Sequence, residues 1–311
     1  MLDVRRTRIG RELFLASLGM TLEGVEPWVI ERMAGALEEQ IVHAGDTLFS
    51  AGQPCEFLYF IRNGKVRLAR EGAAPWTFEG RWFLGVFEAI NDRPYTRTAT
   101  ALTEFAAMRV PCSVWIELLE DNFQLGRKAV ENLGRTVTRL EERLPVDPPR
   151  TAETPPAVGS GRLSLVERLA LLVNVRMFRG GGVQALAELA AASVETTFRE
   201  GQTVLERGEE RRQLHLVVEG EVVADRKDPD VSRHYRAGDV VCGAFSFGEP
   251  ALAWEARAAS PVRVLSLSYD LWIDLMEEHF DFLKAAMSAL GRRREFLLTC
   301  LAEQTGSLTL T

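Results

Sequence analysis

Apolar and polar positions follow one another along this chain in the same order twice. Each pass opens on apolar residues at i, i+3 and i+7: Ile30, Met33 and Leu37 in the first, Val183, Leu186 and Ala190 in the second. That spacing predicts a short helix with one buried stripe. Runs rich in Val, Leu, Phe and Tyr come next, cut roughly every 8–12 residues by glycine turns, and they predict the short strands of a sandwich or roll. FLYFIRNGKVRLA and QLHLVVEGEVVAD are two such stretches, with Asn63-Gly64 and Glu219-Gly220 read as hairpin bends. Each pass closes on a long stripe: Val130, Leu133, Val137, Leu140 and Leu144, then Phe280, Leu283, Met287 and Leu290. A 3,4 seam of about two heptads calls for a partner helix.

The two passes are copies. Ala44–Arg70 laid over Glu200–Arg226 puts Gly45, Gly52 and Gly64 on Gly201, Gly208 and Gly220, each 156 residues later. Further on, Trp115–Phe123 (WIELLEDNF) matches Trp272–Phe280 (WIDLMEEHF) at an offset of 157, so one net insertion lies between the anchors. A period of this length means tandem duplication, since solenoid repeats run about 20–50 residues. Between the copies, Leu144–Arg162 holds five prolines and two glycines and reads as an exposed linker. The expected fold is mainly β with flanking α. It consists of two tandem β-roll (jelly-roll) domains, 1–144 and 162–311, joined by a linker at 145–161, each with a helical lead and a long C-terminal helix.

Composition narrows the function. The 311 residues suit two domains of about 150. A formal charge of −7 weighs against a protein whose main task is gripping nucleic-acid phosphates. Cys55, Cys112, Cys242 and Cys300 form no CxxC pair, the usage of free thiols in a reducing cytoplasm. His43, His215, His234 and His279 have no metal-ligand spacing. The start, MLDVRRTRIGRELF, lacks the apolar core of a signal peptide, and no run of 18 apolar residues predicts a membrane span. With no P-loop, GxSxG or HExxH, no enzyme is expected, and cytoplasmic placement is.

A helical lead, a roll opening on x-G-(D/Q)-T-(L/V)-(F/L)-x-x-G, a turn at x-G-x-V and a long terminal helix together resemble the cyclic-nucleotide-binding domain. That module serves catabolite-activator-type regulators of bacteria and the regulatory subunits of cyclic-nucleotide-dependent kinases. The resemblance covers most of both halves. In this family the ligand lies in a cassette of the form F-G-E-(L/I)-A-L-x(4–6)-P-R-(S/A)-A-(T/S). Backbone N–H groups and the arginine hold the cyclic phosphate, and the glutamate accepts from the ribose hydroxyl.

Both cassettes depart from that form. Anchored on the following strand, the first lays Gly85-Val86 over Gly-Glu and Pro94-Tyr95-Thr96 over Pro-Arg-Ser, without either charged ligand residue. Slid by two, it recovers Glu88 and Arg97, followed by Thr98-Ala99-Thr100. Anchored likewise, the second lays Cys242-Gly243 over Gly-Glu and Ala251-Leu252 over Pro-Arg. Slid, it recovers Phe247-Gly248-Glu249 and Arg257-Ala258-Ala259-Ser260. In the anchored register neither half holds a cyclic phosphate. In the slid register Glu88, Arg97, Gly248, Glu249 and Arg257 form ligand sites.

Two surface features remain. Trp76, Trp82, Phe83 and Phe87 border the first cassette, as an exposed aromatic patch for docking or as core. Arg292, Arg293 and Arg294 form a basic turn of the last helix, either solvated or facing an acidic partner. The ten residues after Leu301 leave no room for a winged helix-turn-helix, which needs about 60–80, so no DNA partner is expected. Three readings follow: a non-enzymatic regulatory adaptor acting through protein–protein contacts, a second-messenger sensor for cyclic AMP, cyclic GMP or a cyclic dinucleotide, and a structural component of an assembly. No cofactor is expected apart from such a cyclic nucleotide. The helical seams predict a monomer with its long helices paired inside one chain, or a homodimer through the same helices.

Overall fold

The computed structural model describes residues 25–80, 82–144, 155–209, 212–227, 230–243 and 254–310. Most of the linker expected at 145–161 and the second cassette from 244 to 253 lie outside the described residues. The chain divides into two compact units, one of residues 1–129 with 295–311 and one of residues 130–294.

In the first unit, helix α1 (Pro27–Ala36) starts with proline at its first turn, where the missing N–H costs nothing. Its buried side chains are Val29, Met33 and Ala34, followed by Leu37 at the C-cap, so the stripe is shifted by one residue from the expected Ile30. Strands β1 (Glu38–Val42), β2 (Thr47–Phe49), β3 (Phe57–Ile61), β4 (Lys65–Arg70), β5 (Ala73–Glu79) and β6 (Trp82–Leu84) follow. Helix α2 (Val86–Ile90) then leads to β7 (Thr98–Ala101), β8 (Phe105–Pro111), α3 (Cys112–Asp121) and α4 (Phe123–Glu142). One sheet has the order β1-β8-β3-β6, and the other runs β5-β4-β7-β2. Apolar side chains from both sheets fill the space between them, including Phe60, Ile61, Val66 and Phe78, all at most about 1 % exposed.

The second unit repeats this with α5 (Leu165–Asn174), α6 (Val183–Ala192), β9 (Val194–Phe198), β10 (Thr203–Leu205), β11 (Gln213–Glu219), β12 (Glu221–Lys227), β13 (Asp230–Arg236), β14 (Glu255–Ala258), β15 (Val262–Ser268) and α7 (Tyr269–Glu278). Its sheets run β9-β15-β11 and β13-β12-β14-β10, the order of the first unit except that, among the described residues, no strand takes the place of β6, where Leu216 and Val240 form an isolated bridge. Helix α5 begins at a capping box, with Ser164 and Glu167 satisfying each other's backbone N–H groups. In α6 the buried stripe is Ala185, Leu186, Leu189 and Ala190, while Val183 is 76 % exposed at the first helical position.

The long helices are α4 and α8 (Phe280–Thr305). Val130, Val137, Leu140 and Leu144 are buried, as are Leu283, Met287 and Leu290, so the expected seams are the apolar faces. Within the second unit, Arg293 Nε on α8 donates to Glu141 Oε1 on α4 at 2.7 Å. Within the first, α8 ends and the chain adds β16 (Leu308–Leu310) parallel to β5, with Leu308 opposite Trp76.

The expected hairpins at Asn63-Gly64 and Glu219-Gly220 are not hairpins. Strand β3 pairs with β6 and β8, and β4 pairs with β5 and β7, so Gly64 turns the chain from one sheet to the other. Gly220 does the same between β11 and β12. Both glycines have positive φ, +146° and +87°. Both also pack hard against a crossing segment. A Cβ at Gly64 would lie 2.5 Å from the Phe105 ring, and one at Gly220 would lie 2.3 Å from the Pro261 carbonyl oxygen. The real hairpins join β4 to β5 and β12 to β13. The single insertion of the repeat falls in the second of these, because Arg70 and Arg226 match at 156 whereas β5 and β13 match at 157.

No helix among the described residues is long and apolar enough to cross a membrane. Among the same residues, no group of three or more His, Cys, Asp or Glu side chains could hold a metal ion.

Candidate functional site

The first cassette is a loop and a short helix slung between β6 and β7. Gly85 takes the left-handed backbone (φ +91°) that opens α2. Its position leaves little space, for a Cβ there would lie 3.2 Å from the Phe57 carbonyl oxygen and 3.4 Å from the Tyr95 ring. At the matching place in the second unit stands Cys242, which keeps the left-handed backbone (φ +52°) despite its side chain. Tyr95, near the cassette's far end, stacks on Phe49 at 3.9 Å and donates its hydroxyl to the Phe57 carbonyl at 2.5 Å.

Arg97 is the last residue before β7 and is 2 % exposed. Its guanidinium carbon lies 3.5 Å from the centre of the Trp76 ring, a cation–π stack. Nη1 reaches the Ala74 carbonyl at 3.3 Å, and Nε and Nη2 meet no protein acceptor. Burial, and after it the neighbouring Arg70, push its pKa down to about 10, so the side chain remains charged at neutral pH. A buried charge with idle donors is costly, and an anion would relieve that cost.

Around Arg97 the charges are arranged in one cluster. Glu295, on the part of α8 that belongs to the first unit, accepts from Arg93 Nη2 at 3.1 Å and lies 3.8 Å from Arg70 Nη1. Glu88 accepts from the Thr96 hydroxyl at 2.8 Å and lies 4.0 Å from Arg93. The structure thus commits Glu88 to the cassette's own loop, while Arg97 faces Trp76.

The aromatic residues are placed differently from an exposed rim. Trp76 is 6 % exposed and belongs to the core beneath Arg97, because β5 turns it inward. Trp82 is half-buried, packs on Phe78 at 4.6 Å and donates its indole N–H to the Glu79 carbonyl. Phe83 stacks on Phe60 at 4.0 Å and meets Trp115 edge-on. Phe87 lies under Arg93, 3.9 Å from its guanidinium carbon. Arg292, Arg293 and Arg294 lie within α8. Arg292 Nε reaches the Ser288 hydroxyl, and Arg293 joins the ion pair with Glu141.

The second cassette's Gly248 and Glu249 lie outside the described residues. Arg257 is described, and it sits on the outward face of β14, exposed and paired with Glu255 at 2.6 Å. The ladder shows why. Leu68 of β4 stands between Trp76 and Ala99, and Ala224 of β12 stands between Arg233 and Ala256. Rung for rung, Arg257 therefore matches Thr100, not Arg97. The residue matching Arg97 is Trp254, and the residue matching Trp76 is Arg233. Trp254 is 1 % exposed in an apolar cluster with Val217, Val222 and Val264. Arg233 is buried, and its Nη2 donates to the Glu141 and Leu144 carbonyls at 2.7 and 3.1 Å. The Glu141 carbonyl lies in the last turn of α4 and also accepts from the Leu144 N–H at 3.0 Å, and Leu144 lies two residues past the helix, so Arg233 ties down the chain where α4 stops.

Sequence reasoning missed Arg233, Trp254, Arg93 and Glu295. The first two were within reach, by carrying the 157-residue offset from Trp76 and Arg97. The others come from elements whose approach only the fold reveals.

Comparison with known proteins agrees with this geometry. The family model for the cyclic nucleotide-binding domain matches residues 39–122 and again 195–279. A CRP-like cAMP-activated global transcriptional regulator of Mycobacterium tuberculosis is 29 % identical over 198 residues, covering 58 % of this chain and 83 % of that protein. Among solved structures, the regulatory subunit of a cAMP-independent protein kinase A from Trypanosoma brucei is 19 % identical, with 91 % of this chain and 87 % of that one covered at a TM-score of 0.35. The sensor domain of the transcriptional regulator DNR from Pseudomonas aeruginosa is 20 % identical, with 40 % of this chain and 91 % of that one covered at a TM-score of 0.37. Two matched segments, one in each copy of the roll and together more than half of the sequence, place this chain in the cyclic nucleotide-binding domain family.

Proposed function

We propose that the chain is a regulatory protein without catalytic activity of its own, built of modules 1–144 and 162–311 and acting in trans through protein contacts. The observation that carries this reading is the exchange of Arg97 and Trp76 for Trp254 and Arg233. The second module has an indole where the first has the buried Arg97, and its own buried arginine binds the Glu141 and Leu144 carbonyls. It serves as packing. The first module keeps Arg97, but stacked on Trp76 and beside a cluster already supplied with the Glu295 carboxylate. The half-buried aromatics Trp82, Phe83 and Phe87 of the first unit and, separately, Arg292, Arg293 and Arg294 of the second are the residues that meet a partner. The apolar seams of the long helices serve within one chain or between two copies, which light scattering on wild type and Leu140→Glu distinguishes.

One observation favours a second reading, a cyclic-nucleotide sensor: the two donors of Arg97 that meet no protein acceptor. Calorimetric titration with cyclic AMP and cyclic GMP separates the two. The adaptor reading expects no binding tighter than about 100 μM, a free energy near −5.5 kcal/mol. Micromolar binding that Arg97→Gln abolishes and Arg257→Ala leaves intact would establish the sensor instead.

A further inference from the structure

Two cysteines 57 positions apart in sequence meet under the first cassette. Cys55 precedes β3 and Cys112 opens α3, and the pairing of β3 with β8, Phe57 opposite Pro111, brings them together. The Cys112 N–H donates to the Glu56 carbonyl at 2.9 Å, which fixes the two chain segments side by side. Their sulfurs are 3.4 Å apart, and both residues are free thiols, half-buried and so within reach of a small oxidant. A disulfide needs the sulfurs at about 2 Å, so the two must approach by about 1.4 Å from where they lie.

The pair is tied to the cassette. Cys55 Sγ lies 3.5 Å from the Gly85 carbonyl oxygen, the residue that opens α2, and 3.9 Å from the Phe57 carbonyl oxygen. The Phe57 carbonyl also accepts the Tyr95 hydroxyl, two residues before Arg97. The dithiol therefore touches the start of the cassette directly and its end through one shared carbonyl.

We propose that Cys55 and Cys112 form a reversible dithiol–disulfide switch beneath the first cassette, with hydrogen peroxide as the oxidant. The Cys55 sulfur attacks one peroxide oxygen and the O–O bond breaks. Cys55 becomes a sulfenic acid, and the departing hydroxide takes the thiol proton as water. The Cys112 sulfur then attacks the Cys55 sulfur, the S–O bond breaks, and hydroxide leaves with the Cys112 proton as a second water. Two thiols lose two electrons in all, and one peroxide is reduced to two waters. Cys55 is the first nucleophile because the Cys112 S–H stabilises its thiolate, lowering its pKa against the opposing effect of burial. The same contact holds the Cys112 proton in place until the second step. Once the disulfide forms, Cys55 has no S–H to offer Gly85, and the opening of α2 keeps only its backbone bonds. The switch does not depend on whether the cassette binds a nucleotide.

The test uses the full chain, treated with hydrogen peroxide, alkylated and digested for mass spectrometry, beside Cys55→Ser and Cys112→Ser. The expected product joins the Cys55 and Cys112 peptides, is lighter by two hydrogens, and returns to two alkylatable thiols with dithiothreitol. Neither variant forms it, and melting curves report whether each variant is folded. Amide exchange over residues 86–96 is expected to rise about threefold or more in the oxidised wild type and to stay level in treated Cys112→Ser. Over-oxidation of Cys55 while Cys112 still alkylates overturns the disulfide. A linked peptide with unchanged exchange overturns its coupling to the cassette.

Discussion

The two rolls share the order and ladder register of every strand but β6, which has no counterpart among the described residues of the second roll, yet each puts its buried arginine on the opposite partner of one pair of positions. In the first, tryptophan is on β5 and arginine on the segment entering β7. In the second, arginine is on β13 and tryptophan leads into β14. The residue types are the same, and their consequences are not. An arginine at the end of the cassette keeps two donors without a protein acceptor, whereas one on β13 reaches the Glu141 and Leu144 carbonyls. Position along the ladder, more than composition, decides what a buried arginine can reach.

The comparison can be broken most severely by making the second roll imitate the first. Trp254→Arg puts a charge into an apolar cluster and removes its largest member, and it should cost at least about 4 kcal/mol, read by urea unfolding. A loss below about 1 kcal/mol would show that the second roll accommodates an arginine as the first does. The corner glycines come next. Gly220→Ala drives a Cβ into a backbone carbonyl, and Gly64→Ala drives one against the Cβ and Cγ of buried Phe105, which ring rotation does not move, so each should lose about 2 kcal/mol or more in urea unfolding. A loss below about 1 kcal/mol at either corner would show that the crossing segment there gives way. The smallest effect belongs to Arg257→Ala, where an exposed ion pair with Glu255 is removed; the melting curve should move by no more than about 0.5 kcal/mol.

The duplication, the two rolls and the long apolar seams were legible because they rest on periodicity and on glycines at a constant offset. Sheet membership was not. A glycine between two β runs looks alike locally whether the runs pair with each other or with distant strands, and Gly64 and Gly220 do the latter. The register of the second cassette was open for a related reason. The likeness of FGE…RAAS to the family pattern pointed to Arg257, but side chains alternate along a strand, and the register turns Arg257 outward between Ala256 and Ala258. Trp254 carried no family signal at all. The Cys55–Cys112 contact was beyond sequence reasoning, since only the pairing of β3 with β8 brings the two thiols together.

The central claim is that the first roll's buried arginine is held in reserve while the second's is structural. Calorimetric melting of Arg97→Met and Arg233→Met, measured side by side with wild type, tests it most directly. Methionine at 97 removes a desolvated charge with idle donors and keeps apolar contact with Trp76, so the melting temperature should stay within about 2 °C or rise. Methionine at 233 strips the Leu144 carbonyl of its guanidinium donor and leaves the Glu141 carbonyl only the Leu144 N–H, for a loss of about 3 kcal/mol and a fall of at least about 6 °C. Equal falls, or a larger fall for Arg97→Met, would contradict the account.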